Sequence, residues 1–170
     1  RYESSAASDV YKRQMMPNAH CVLFAIGTIE NYNLKDDHTF YISLPLFHAN
    51  GLFMQLLACI MTGAKAVIRT RFSASNWLND IRNYNITHTN MLGAIAAFIV
   101  AQPPTKYDKD HNLEVIGSAP LPSEPEKIFR NRFGVKYVLP LYGMTEVNIP
   151  IYGLKNEMGN GCLLYTSPSP

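Results

Sequence analysis

Charge of either sign is scarce in this chain. Lysine, arginine, aspartate and glutamate make up 16% of its 170 residues and leave a net charge of +2. A balance so near neutral gives no strong pull toward nucleic acid or an acidic membrane, and no basic cluster is interleaved with aromatics. Cysteine is scarcer still. Cys21, Cys59 and Cys162 stand far apart, in neither a metal-ligand spacing nor a disulfide framework, which fits a reducing cytoplasm. No apolar run approaches the ~18 residues that suggest a membrane span, and no secretory leader is visible. No serine sits in a Gly-x-Ser-x-Gly elbow, which argues against a Ser/His/Asp hydrolase. No segment repeats. What the chain does have is 47% hydrophobic residues over a length that suits one domain with a real core.

The two ends read differently from the middle. Residues 4–14 show no consistent period, and the tail closes in Ser167-Pro168-Ser169-Pro170. Residues 1–14 and 162–170 resemble translated sequencing-adapter text and are expected to lie outside the domain. Residues 15–161 are then the fold unit.

Along that unit, strand and helix patterns alternate. A helix is expected over 19–32, with Val22, Leu23, Ile26 and Ile29 inward. A buried strand over 39–44 is stopped by Pro45. A loop through His48 and Gly51 leads into an apolar helix over 52–61, capped by Gly63. A strand over 65–69 precedes a helix capped by Ser73 that runs to 84, with Trp77, Leu78 and Ile81 inward. A strand over 86–90 and a helix over 94–101 follow, the helix ending before Pro103-Pro104. After a polar linker, a strand over 113–116 ends in Gly117-Ser118-Ala119-Pro120. A helix from 122 or 123 to 132 and a strand over 135–141 complete the series. Such alternation predicts an α/β fold with a largely parallel sheet flanked by helices. Ligands of these sheets sit outside the carboxyl ends of the strands. Three strand ends meet that description, before His48, at Gly117 and at Tyr142.

The last of these holds the densest chemistry. Tyr142 offers a flat surface for a base. Gly143 lets backbone approach a phosphate, and Thr145 can donate a hydrogen bond to a phosphate oxygen. Glu146 is a hard oxygen ligand of the kind Mg²⁺ takes beside substrate phosphates. The pentapeptide alone admits two readings, a nucleotide site or a surface turn whose tyrosine packs on the core. Gly117-Ser118-Ala119-Pro120 likewise reads as a slot for a flat base or as a plain strand-to-helix turn. His48 reads as a site residue or a structural one. His20, His38, His88 and His111 read as surface or strand-end residues without a role.

Pro45-Leu46-Phe47-His48, Gly117-Ser118-Ala119-Pro120-Leu121 and Tyr142-Gly143-Met144-Thr145-Glu146 together resemble the central region of the adenylate-forming, AMP-binding family. That family contains acyl-CoA synthetases, luciferases and peptide-synthetase adenylation domains. The order and spacing of the three match, as do Gly63-Ala64 and Arg132-Phe133-Gly134-Val135 between them. The resemblance covers residues 15–153 and implies a partial N-terminal domain of such an enzyme. It implies joining of a carboxylate to ATP with release of pyrophosphate, then attack by the thiol of coenzyme A. By the same resemblance, Gly117, Ser118 and Ala119 border the adenine and Tyr142 covers its other face, with Gly143 and Met144 in the same nucleotide loop. Thr145 bonds the α-phosphate, Glu146 binds Mg²⁺, and His48 sits by the reacting carboxylate. Gly51, Met54, Met91, Gly93, Val147 and Ile149 are expected around the acyl group. Gln102-Pro103-Pro104 with the tyrosine motif most resembles the carnitine and crotonobetaine ligases.

The family's phosphate loop is expected upstream of Met15. Its ribose-binding aspartate, hinge and C-terminal catalytic lysine are expected after Gly153. This sequence is therefore expected to be an inactive internal fragment of a cytoplasmic acid–thiol ligase. The expected partners are ATP, a small carboxylic acid and coenzyme A, with no nucleic acid. Two other readings are an amino-acid adenylation domain and a non-catalytic nucleotide-binding module. The first ranks lower because no acidic residue stands near Gly51, Met91 or Val147 to hold a substrate amine.

Overall fold

The computed structural model describes residues 15–153; the expectations for 1–14 and 162–170 fall outside them. Helix α1 (Asn18–Tyr32) leads to strand β1 (Thr39–Ile42). Helix α2 begins as a π-helix over Asn50–Leu57 and continues as α-helix over Ala58–Thr62. Then follow β2 (Lys65–Ile68), α3 (Ala74–Asn83), β3 (His88–Leu92) and α4 (Gly93–Val100). The described residues finish with β4 (Val115–Ala119), α5 (Ser123–Asn131), β5 (Tyr137–Met144) and β6 (Asn148–Tyr152). The sheet order is β2-β1-β3-β4-β5-β6, parallel throughout except for the β5–β6 pair. This is the largely parallel, helix-flanked sheet that the alternation predicts.

Side chains of successive strand residues point to opposite faces, and two cores follow from that. On one face Tyr41, Met91, Ile116 and Val138 meet Trp77 and Ile81 of α3, Ile99 of α4 and Phe129 of α5. Trp77 lies edge-on to Phe133, ring centroids 5.5 Å apart. On the other face Phe40, Ile42, Val115 and Leu139 meet Ala25 and Tyr32 of α1 and Ala58 and Cys59 of α2. Each large side chain sealed this way contributes about 1.5–3 kcal/mol of transfer free energy. Burial pushes the Cys59 thiol up to about 12, so it behaves as a small apolar side chain.

Local chemistry sets the element ends. The Ser73 hydroxyl accepts from the Asn76 amide at 3.4 Å and caps α3. Gly63, at φ 79°, closes α2 in the left-handed conformation. The π-helical register of α2 brings Asn50 and Gln55, five residues apart, onto one side. Their side chains hydrogen-bond at 2.7 Å.

Several expectations need correction. In α1 it is Phe24, Ala25, Thr28 and Tyr32 that are buried, with Ile29 packed against the core as expected, while Leu23 and Ile26 are exposed. A helix apolar nearly all round has no stripe to read, and the large aromatics decide its rotation. Helix α2 starts two residues earlier than expected and is π-helical for most of its length. β3 and β4 lie about two residues further along than expected, so Gly117, Ser118 and Ala119 belong to a strand and not to a loop. β5 likewise continues through Tyr142, Gly143 and Met144, because the unexpected β6 pairs with it. His88 is buried, its ring nitrogens 2.8 Å from the Thr87 hydroxyl and 3.1 Å from the Tyr32 carbonyl.

Candidate functional site

The carboxyl ends of β4 and β5 open into a cleft of about 600 Å³. Its floor is Ala119 and Leu141. Phe24 of α1 and Met54 of α2 form one wall, and His48, Ala49 and Asn50 approach from the turn before α2. Tyr142, Gly143, Met144 and Thr145 form the opposite rim, with Leu92, Pro120 and Ile149 beside them. Of the expected residues, the cleft therefore gathers His48, Met54, Ala119, Tyr142, Gly143, Met144, Thr145 and Ile149.

The rim is shaped by a hairpin. Strand pairing between β5 and β6 shifts register between Tyr142 and Met144, and a bulge of this kind re-aims side chains beside a site. Tyr142 stays 44% exposed at the mouth. Asn148 turns the chain at φ 64°. Its side-chain oxygen accepts from the Ile149 amide at 2.9 Å, and its side-chain nitrogen donates to the His20 carbonyl at 3.0 Å. The His20 ring nitrogen lies 2.8 Å from the Thr145 carbonyl. The first turn of α1 thus ties the Thr145 loop at two points. Sequence reading gave His20 no role, and nothing in its local pattern marks a contact 125 residues away.

Other expected residues lie outside the cleft wall. Ser118 is fully buried, its hydroxyl 3.5 Å from the Pro120 carbonyl. Met91 is buried in the core on the far face of the sheet. Strand alternation explains it: Leu92, the next residue, reaches the cleft instead. Glu146 and Val147 are exposed on the turn beyond the rim. The glycines are short of room because of protein. A Cβ on Gly117 would collide with the Tyr32 hydroxyl, and one on Gly143 with Ile149 and the Asn148 carbonyl. Gly51 is pressed against the Pro45 and Leu44 carbonyls, and Gly93 against the Pro120 carbonyl. The close backbone approach read for Gly143 and Gly117 is made by neighbouring elements of the fold. Phe24, Ala49, Asn50, Leu92, Pro120 and Leu141 line the cleft without having been expected there. A correct rotation of α1 and a strict two-residue period through β3 are the signals that find Phe24 and Leu92.

Among the described residues no three His, Cys, Asp or Glu side chains converge to hold a metal by themselves. A magnesium ion carried on phosphates needs only one or two carboxylates. Glu146, exposed next to Thr145, is of that kind, so the donor set fits. No helix among the described residues is long and apolar enough to cross a membrane.

Comparison with known proteins agrees with the fold. Mouse (Mus musculus) long-chain fatty acid transport protein 3 is 32% identical over 148 residues, covering 85% of this chain and 22% of that protein. Mouse long-chain fatty acid transport protein 6 is 33% identical over 124 residues, covering 73% and 20%. The chain therefore spans about a fifth of the length of these relatives. ATP-bound MatB from Rhodopseudomonas palustris superposes with a TM-score of 0.72 at 21% identity, over 84% of this chain and 28% of that one. The o-succinylbenzoate coenzyme A synthetase MenE from Bacillus subtilis, solved with ATP and a magnesium ion, gives 0.62 at 25% identity, over 75% and 26%. The AMP-binding enzyme model matches residues 13–163, nearly the whole chain, and the chain belongs to that family.

Proposed function

We propose that this chain is the central part of an ATP-dependent carboxylate–CoA ligase. The observation that carries the reading is the shared cleft, where His48, Ala119, Tyr142 and Thr145 meet from three separate segments. Two of the solved relatives hold ATP, one of them with magnesium, and a family enzyme needs both in one place with its acid. In the proposed reaction a carboxylate oxygen attacks the α-phosphorus of ATP and pyrophosphate leaves. The thiol of coenzyme A then attacks the acyl carbonyl and AMP leaves.

The residues divide the work. The exposed Tyr142 ring gives the base a flat face. The backbone around Ala119 borders the base from the other side. Thr145 donates a hydrogen bond to the α-phosphate, and Glu146 holds Mg²⁺. The metal, when bound, offsets negative charge on the phosphates while an anion attacks, and electrostatic help of this sort is the largest catalytic contribution in most enzymes. His48 stands where the carboxylate and the incoming thiol would meet. Phe24, Met54 and Leu141 give the acid an apolar bed. The unpaired thiols Cys21 and Cys59 suit a reducing cytoplasm. Kinship with carnitine and crotonobetaine ligases draws no support from the long-chain relatives.

The test is carboxylate-dependent ATP–pyrophosphate exchange by the full-length protein. Exchange is expected, and Glu146→Gln is expected to lower its rate and raise the magnesium needed for half-maximal rate. An unchanged rate and magnesium dependence in that variant would remove Glu146 from the site. The isolated 170-residue chain is expected to show no exchange.

A further inference from the structure

Ala119 lies on the cleft floor. Two residues back along β4, on the same side of the sheet, stands Gly117. The place where a Gly117 side chain would begin is occupied by the Tyr32 hydroxyl. Tyr32 reaches it from the last turn of α1, stacked on Phe40 with ring centroids 6.2 Å apart and planes 12° from parallel. The ring is sealed from solvent. It covers β4 two residues from the cleft floor, on the same side of the sheet.

Core side chains surround most of that ring, but polar groups stand beside its hydroxyl end. Asn90 is the register partner of Gly117 on β3, so its side chain leaves the sheet beside the same spot. Both Asn90 amide atoms and the Tyr32 hydroxyl are buried with no hydrogen-bond partner among the described residues. The Gln55 carbonyl oxygen is in the same condition, and Gln55 is bonded to Asn50 on the cleft wall. An alkyl chain running from the bed of Phe24, Met54 and Leu141 toward Gly117 would have to displace the ring and lie against amide atoms that already lack partners, which is unfavourable on both counts.

We propose that Tyr32 is the depth stop of the acid-binding cleft and that it restricts the parent ligase to short carboxylic acids. The inference rests on the ligase reading above, and it separates this chain from relatives named for long-chain fatty acids. Tyr32 acts on specificity by occupying space, without touching the reacting atoms.

The experiment measures kcat/KM for pyrophosphate exchange by the full-length protein on straight-chain acids from acetate to palmitate. The unaltered protein is expected to lose activity beyond the short acids. Tyr32→Ala is expected to move the optimum to longer acids, with each newly buried methylene worth about fourfold in kcat/KM. Tyr32→Phe, which keeps the ring, is expected to keep the cut-off. Palmitate as the best substrate of the unaltered protein would overturn the proposal without any variant. So would an unchanged length profile in Tyr32→Ala or, should that variant not fold, in the better-packed Tyr32→Leu. Absence of exchange with every acid would instead remove the ligase reading itself, and the depth stop with it.

Discussion

At the scale of single residues, the most consequential contact is the one between His20 and the Thr145 carbonyl, 2.8 Å long. Thr145 and Glu146 sit on an exposed turn of a hairpin, where a loop has little packing to hold its shape. The His20 ring and the Asn148 side chain supply two tethers from α1, and the His20 ring also meets Phe24 edge-on at 5.4 Å. An exposed hydrogen bond of this kind contributes about 0.5–1.5 kcal/mol. His20→Ala should therefore raise the KM for ATP by about two- to twelvefold while leaving the KM for the acid near its original value. His20→Gln keeps an N–H that can reach the carbonyl and should recover most of the loss. Initial rates at varied ATP and at varied acid separate the two effects. Equal changes in both KM values, without recovery by glutamine, would mean that His20 serves general stability alone.

At the scale of elements, α1 and β4 are fitted to each other through Tyr32 and Gly117. A methyl group at position 117 meets the Tyr32 hydroxyl, so Gly117→Ala forces the ring aside and should cost about 1–3 kcal/mol. Combined with Tyr32→Phe, which removes the first atom met, part of that cost should return. Urea denaturation of the two single variants and the double variant gives the coupling, and strict additivity would show that the elements do not meet there. The same pair shows how far the sequence could be read. The period of the strands, the Ser73 cap and the Gly63 stop are local signals, and the elements they mark are present. A glycine says that something comes close, yet not what: at Gly117 it is a tyrosine 85 positions earlier, and at Gly143 it is the returning strand. β6 escaped because Asn148–Tyr152 is short and carries Pro150, which lacks a ladder donor and is tolerated at an edge strand such as this one. The rotation of α1 escaped because its apolar residues circle the helix. Of the candidate site, the strand-end motifs with Tyr142, Thr145 and His48 were legible. The cleft's apolar lining was set by long-range packing and was not.

At the scale of the whole molecule, the two faces of the sheet are closed in different ways, and the difference predicts how the fold fails in acid. On the face away from the cleft, helices α3, α4 and α5 cover the sheet, and the segment between α4 and β4 is pinned to the end of α5. There Arg132 donates to the Asp108 carboxylate at 2.5 Å, to the Gln102 carbonyl at 2.7 Å and to the Pro103 carbonyl at 2.9 Å. Burial acts to raise the Asp108 carboxyl, but the Arg132 guanidinium and the Thr105 hydroxyl and amide outweigh it and hold the group below its ordinary 3.8. His111, on the same segment, is lowered from 6.5 chiefly by burial, against the opposing pull of Asp108 and Asp110. Its Nδ1 accepts from the Leu113 amide at 3.1 Å and its Nε2 is buried without a partner among the described residues, so the neutral ring is the form that fits. Both groups have folded values below their unfolded ones. Their stabilisation is complete above the unfolded value and is lost as pH falls through the folded one. Stability should therefore decline in two steps on acidification, the first below pH 6.5 from His111 and the second below 3.8 from Asp108. Melting temperatures measured from pH 8 to pH 3 should trace both steps. His111→Asn should flatten the first and leave the second, while Asp108→Asn should lower stability at neutral pH and abolish the second. A melting temperature that rises between pH 7 and pH 5 would reverse the sign expected for His111 and mean that Asp108 and Asp110 outweigh burial at its ring.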